Sequence, residues 1–237
     1  MKAKKSLGQH FLKSERALAA IIKAGEIKSS DTILEIGPGT GTLTDKLLET
    51  GCLVLAIEKD DNLHEKLKIK YQKEIVNKQL ILIHDDALNF EFKNYNLVPR
   101  IYKLISNIPY NITGAILEKF LSAEYQPERM VLLVQKEVAE RICGHRVSTG
   151  GKPLDFTRDK ESILSISVKV YGKPSYIETV KAGSFVPTPQ VDSAIIAIEN
   201  ISKNFFREFA TDVDTECPQV EKRFFELVRA GFRSKRK

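Results

Sequence analysis

Apolar residues in the first half of the chain fall in short runs separated by amphipathic stretches, the pattern of βα units around a parallel sheet. Thr32–Ile36 (TILEI), Leu53–Ile57, Leu80–His84, Ile101–Ile105 and Met130–Val134 read as buried strands. Thr42–Thr50, ended by Gly51, reads as a helix, as do Asp61–Tyr71, Gly114–Ser122 and Glu137–Ile142. The stretch 144–160 holds Gly150, Gly151, Pro153 and several charges, and reads as an exposed loop. In Ser162–Tyr171, Ile163, Ile166 and Val170 fit a helical period, but alternation fits as well. Tyr176–Val180 and Ala194–Glu199 read as late strands, and two close prolines predict irregular structure over Ser184–Gln190. From Ser202 the pattern turns helical, with Phe205, Phe206, Phe209, Phe224 and Phe225. The expectation is an α/β fold: a mostly parallel seven-stranded sheet with helices on both faces in residues 1–200, and a short helical domain in 201–237.

Composition narrows the class. The 237 residues carry a formal net charge of +6, with basic clusters at both ends. That balance suits a polyanionic partner, although solvated basic tails produce it too. Three widely spaced cysteines with no Cys/His cluster argue against a structural metal and for free thiols in a reducing compartment. No run approaches the roughly 18 apolar residues of a membrane span, and no apolar stretch follows the N-terminal lysines as in a secretory signal. A cytoplasmic protein without a metal is expected.

Chemistry concentrates after the strands. Glu35–Gly41 (EIGPGTG) lies between the first strand and the first helix, where glycines permit a tight turn and close approach of a ligand. Glu58 closes the second strand, placed to accept from two ribose hydroxyls, and Asp85-Asp86-Ala87 follows the third, placed to accept from an adenine amine. A dinucleotide site wants Gly-x-Gly-x-x-Gly facing a pyrophosphate; here the glycines run Gly37-x-Gly39-x-Gly41 behind Glu35. An acidic residue beside the loop suits a sulfonium, so the preferred cofactor is S-adenosylmethionine.

The segment Asn107-Ile108-Pro109-Tyr110 follows the fourth strand. An adenine N6 amine is a poor nucleophile because its lone pair is delocalised into the ring. The Asn107 oxygen and the Ile108 or Pro109 carbonyl can accept its two hydrogens and align the lone pair with a methyl group. Pro109 stiffens the loop and Tyr110 offers a stacking face. The leaving group departs neutral and the proton can be lost late, so positioning supplies most of the acceleration.

These motifs, with Lys5–Leu12 (KSLGQHFL), Gln135–Val138, Phe185–Ser193 (FVPTPQVDS) and Arg229–Phe232, resemble the bacterial small-subunit ribosomal RNA adenine N6,N6-dimethyltransferases. The resemblance covers nearly the whole chain. It implies a class I Rossmann-like methyltransferase that dimethylates two adjacent adenines near the 3′ end of small-subunit rRNA, acting as a monomer on the assembling subunit. It places His10, Leu12, Gly37, Gly39, Glu58, Lys59, Asp86, Ala87 and Asn107 around the cofactor. Tyr110 and Phe185 would sandwich the target base. Two departures stand out: His10 occupies a position usually held by Asn, and the C-terminal domain is short. Lys4, Lys5, Lys136, Arg141, Arg233, Lys235 and Arg236 are the candidate RNA contacts. The alternatives are the erythromycin-resistance methyltransferases, which act on large-subunit rRNA, and an assembly factor that keeps the fold.

Overall fold

The computed structural model describes residues 9–95, 102–144, 161–209 and 217–233. In chain order the strands are β1 (Phe11–Leu12), β2 (Thr32–Ile36), β3 (Leu53–Glu58), β4 (Leu80–His84), β5 (Lys103–Asn107), β6 (Arg129–Gln135), β7 (Lys173–Val180), β8 (Phe185–Val186) and β9 (Ser193–Glu199). The helices are α1 (Glu15–Gly25), α2 (Thr42–Glu49), α3 (Asp61–Lys70), α4 (Gln72–Val76), α5 (Thr113–Ser122), α6 (Lys136–Cys143), α7 (Ile163–Lys169), α8 (Asn204–Phe209) and α9 (Cys217–Arg233).

Seven strands form one sheet in the order β4-β3-β2-β5-β6-β9-β7, parallel from β4 to β6, with β9 antiparallel to both β6 and β7. Strand order reverses between β2 and β5, which opens a crevice at their carboxyl ends. The apolar runs are nearly continuous because both faces are covered. In β6, Met130, Leu132 and Val134 point into one core, and Val131 and Leu133 into the other. The first core is completed by α5, through Ile116, Leu117, Phe120 and Leu121, with Ala139 and Ile142 of α6 and Val168 of α7. The second is completed by Ala17, Leu18 and Ile21 of α1 and Leu43 and Leu47 of α2.

Several expectations change in the structure. The ambiguous stretch after Ser162 is helical over α7, where Ser162 accepts from the Ser165 amide and Ser165 reaches back to the Ser162 amide. The proline-rich stretch is not wholly irregular, because Phe185 and Val186 pair antiparallel with Leu12 and Phe11. The fourth strand runs over Lys103–Asn107; Ile101, where it was expected to start, lies outside the described residues, as does 145–160 of the glycine-rich loop. Helix α1, capped by Ser14, was not anticipated.

After Asn200, at φ +54°, the chain leaves the sheet for α8 and α9. Phe206 is fully buried in the first core, and Phe224 and Phe225 pack against it. Lys203 donates to the Ser122 carbonyl (2.6 Å) and to Glu221 (3.1 Å), and the Tyr171 hydroxyl also donates to Glu221. The described part of 201–237 thus shares the core of residues 1–200. Burial of the Phe206 ring alone contributes about 2 kcal/mol.

Candidate active site

A cavity of about 250 Å³ opens at the crevice, walled by the ends of β2, β3 and β5, the turn after β4 and the segment carrying β1. Its floor is the glycine turn. The Gly37 amide donates to the Ile57 carbonyl (2.8 Å), tying the turn to β3. Gly39 has φ +63°, and a Cβ there would sit 2.9 Å from the Phe11 ring. Gly41 has φ +83°, and a Cβ there would collide with the Tyr71 hydroxyl, which itself donates to the Gly41 carbonyl at 2.7 Å. Side chains at these two positions would strain the backbone, and one at Gly39 would also crowd the cavity wall at Phe11.

Two buried carboxylates stand at this turn. Glu58 is 5% exposed and accepts from the amides of Gly39 (3.1 Å) and Asp60 (2.8 Å). Burial pushes its carboxyl above the usual range, against the pull of those amides. Glu35 is 1% exposed and accepts from the Thr44 hydroxyl at 2.7 Å. Burial, reinforced by the charges of Glu58 and Asp45, pushes it up to about 8, with Thr44 opposing. Asp86 behaves otherwise: the hydrogen bond from Lys59 (2.7 Å) holds it below the carboxylate range, helped by the Leu88 amide.

The loop after β5 forms the opposite wall. Ile108 is buried in the first core and anchors it. The Asn107 side-chain nitrogen donates to the His10 carbonyl (3.1 Å), and Asn107 lines the cavity. The Tyr110 hydroxyl and the buried Ser193 hydroxyl share a 2.6 Å hydrogen bond, and burial raises the Tyr110 phenol above its usual range. The His10 ring stacks on Tyr110, with centroids 5.6 Å apart and planes 21° apart.

The structure brings His10, Leu12, Gly37, Gly39, Glu58, Lys59, Asp86, Ala87, Asn107, Ile108, Pro109 and Tyr110 to this one cavity. Phe185 departs from expectation. Its strand is paired with β1 so that Val186 faces outward while Phe185, 1% exposed, points into the second core and presents no face to a base. Glu35 also lines the cavity, although the sequence reading used it only as a marker of cofactor charge. Ser193 reaches the site by its hydrogen bond to Tyr110, a pairing across 83 residues that no local motif encodes.

Among the RNA candidates, Lys136 lies 3.7 Å from Glu140, Arg141 lies 2.8 Å from Glu137, and Arg233 is exposed at the end of α9. Lys4, Lys5, Lys235 and Arg236 lie outside the described residues. Among the described residues, no three His, Cys, Asp or Glu side chains cluster as metal ligands, and no helix is long and apolar enough to cross a membrane.

Fold and site together define a Rossmann-like methyltransferase. Residues 1–214 match the ribosomal RNA adenine dimethylase family, and the chain belongs to that family. A ribosomal RNA small subunit methyltransferase A from Dehalococcoides mccartyi is 40% identical over 237 residues, covering 100% of this chain and 73% of the relative. The crystal structure of a dimethyladenosine transferase from Plasmodium falciparum is 32% identical with TM-score 0.73, covering 96% of this chain and 72% of that one. The 23S rRNA methyltransferase ErmE, 24% identical with TM-score 0.66, covers 90% of this chain and 84% of its own and shares the fold. The protein is an S-adenosylmethionine-dependent rRNA adenine dimethyltransferase.

Proposed function

We propose that the chain dimethylates N6 of two adjacent adenines in a hairpin loop near the 3′ end of small-subunit rRNA, acting in the cytoplasm as a monomer on the assembling subunit. Residues 1–200 carry the chemistry, and 201–237 assist docking. The observation that carries this reading is the Asn107 amide, whose nitrogen is spent on the His10 carbonyl in the wall of the cavity that Tyr110 also lines, so that its oxygen is the group offered as acceptor.

The cavity fits the cofactor. Its glycine cradle admits a ligand against the backbone, Glu58 offers carboxylate lone pairs to a ribose, and Asp86 stands beside the slot lined by Ala87 and Leu88. Glu35 supplies the acidic partner for a cation. S-adenosylmethionine, when bound, supplies an electrophilic methyl group on a sulfonium that departs as a neutral thioether.

The chain's own groups do the positioning. Asn107 accepts one N6 hydrogen. The Ile108 or Pro109 carbonyl accepts the second; the Pro109 carbonyl already closes a turn with the Ile112 amide (3.2 Å), which favours Ile108. Tyr110, its hydroxyl fixed by Ser193, holds the base plane. A monomethylated amine keeps one hydrogen for Asn107, so the same acceptor serves the second transfer.

The test is methyl transfer from labelled S-adenosylmethionine to small subunits, large subunits or naked rRNA lacking the marks. Small subunits are expected to be labelled; label in large subunits alone overturns the reading. Replacing Asn107 with Ala is expected to lower kcat on the order of a hundredfold, with cofactor binding only modestly weaker. Unchanged turnover would remove Asn107 from the mechanism.

A further inference from the structure

We infer that Ser106 is a positioning residue whose hydroxyl fixes the span between the cofactor cradle and the amine acceptor; this rests on the adenine-amine reading above. The two groups that must meet stand on different strands. Gly37 directly follows β2, and Asn107 is the last residue of β5. Each strand is paired with its outer neighbour along its length: β2 with β3 from Thr32 to Ile36, and β5 with β6 from Lys103 to Asn107. Between themselves, Ile33 pairs with Lys103 and Leu34 with Leu104, and there the pairing ends. Strand order reverses at this point, and the crevice walls part.

Continuing that register sets Ser106 opposite Ile36, the residue before Gly37. There the Ser106 hydroxyl donates to the Ile36 carbonyl at 2.5 Å. A side-chain bond thus takes over where the backbone pairing stops, at the root of the cavity that Ile36, Gly37 and Asn107 line. The position would otherwise suit an apolar residue. Ser106 is 0% exposed, shares a strand face with Leu104 and is paired across β6 with Leu132, and both leucines belong to the first core. A hydroxyl buried there without a partner would be costly; bonded to Ile36, it fastens the end of β5 to the end of β2. Ser106 does not itself line the cavity. It acts through its chain neighbour Asn107 on one strand and through Ile36 on Gly37 on the other. Methyl transfer is sensitive to this span, because a misplacement of about 1 Å can cost on the order of a hundredfold in rate.

The test uses the full chain, S-adenosylmethionine and small subunits lacking the marks, read by the single-turnover rate, by the ratio of monomethyl to dimethyl product and by melting temperature. Ser106→Ala is expected to slow transfer about tenfold and raise the monomethyl share, with KM for RNA and Kd for cofactor changed less than about threefold. Loss of folded molecules would lower both products together and leave their ratio alone. Ser106→Thr keeps the hydroxyl and is expected to recover rate and ratio. Ile198→Val, a trim of the same core on β9, is expected to lower the melting temperature without moving the ratio. The inference is overturned if Ser106→Ala lowers the melting temperature while rate and ratio persist, or if its loss of rate is matched by an equal loss of cofactor binding. Failure of a folded Ser106→Thr to recover the rate also overturns it. Absence of methyl transfer by the unaltered protein would instead defeat the adenine-amine reading, so the two failures are separable.

Discussion

At the amino ends of β2 and β5, Asp31 meets Lys103 at 2.7 Å, and Lys103 also donates to the Glu26 carbonyl at 2.7 Å. Nearby, Arg129 binds Glu26, Glu199 and the Ala24 carbonyl. At the carboxyl ends of β2 and β3, Glu35 and Glu58 are buried with hydroxyl and amide partners and, among the described residues, no cation bonded to them. The consequence shows in protonation. Burial opposes ionisation of Asp31, yet the Lys103 hydrogen bond and charge, with the Lys28 amide, hold it below its usual range. Glu35 goes the other way, to about 8. One end of the sheet is a closed electrostatic account that supports the fold. The other buries carboxyls whose ionisation is disfavoured, a cost that a cationic ligand would relieve.

Substitutions separate the two ends. The largest expected effect is from Lys103→Met, which strands a mostly buried Asp31 carboxylate; stability falls by about 3 kcal/mol in urea titration, with kcat near that of the unaltered enzyme. Glu35→Gln acts in the opposite sense. The folded Glu35 retains its proton between its unfolded value of 4.5 and about 8, so its contribution makes the protein less stable as pH rises through that window. The Gln variant is expected to lack that decline in melting temperature while binding cofactor more weakly. A decline as steep as in the unaltered chain would show that Glu35 ionises freely. The smallest effect belongs to Arg141→Ala on the exposed face of α6. Loss of its pair with Glu137 costs stability about 0.3 kcal/mol, while the slope of log RNA affinity against log salt falls by about one.

Much of this division was legible in the residues. Strands buried on both faces announce themselves as apolar runs, and the Gly37–Gly41 turn, Glu58, Asp86 and Asn107 sit where a parallel sheet places ligand groups. What escaped depended on distant partners. Phe185 carries the same motif whether it faces a cavity or a core, and only the pairing of β8 with β1 decides. The Ser193–Tyr110 and Lys203–Glu221 contacts join parts of the chain that no periodicity connects. Helix α1 had its signals, a Ser14 cap with Ala17, Leu18 and Ile21 on one face.

The hydrogen bond from Asn107 to the His10 carbonyl joins two walls of the cavity, one on the N-terminal segment and one on the loop after β5. The N-terminal segment that walls the cavity also orients the side chain proposed as the acceptor for the amine. A donor packed on that segment and a base held at Asn107 are then expected to be coupled. Linkage makes their coupling reciprocal: whatever factor the donor adds to the hold on RNA, the RNA adds to the hold on the donor.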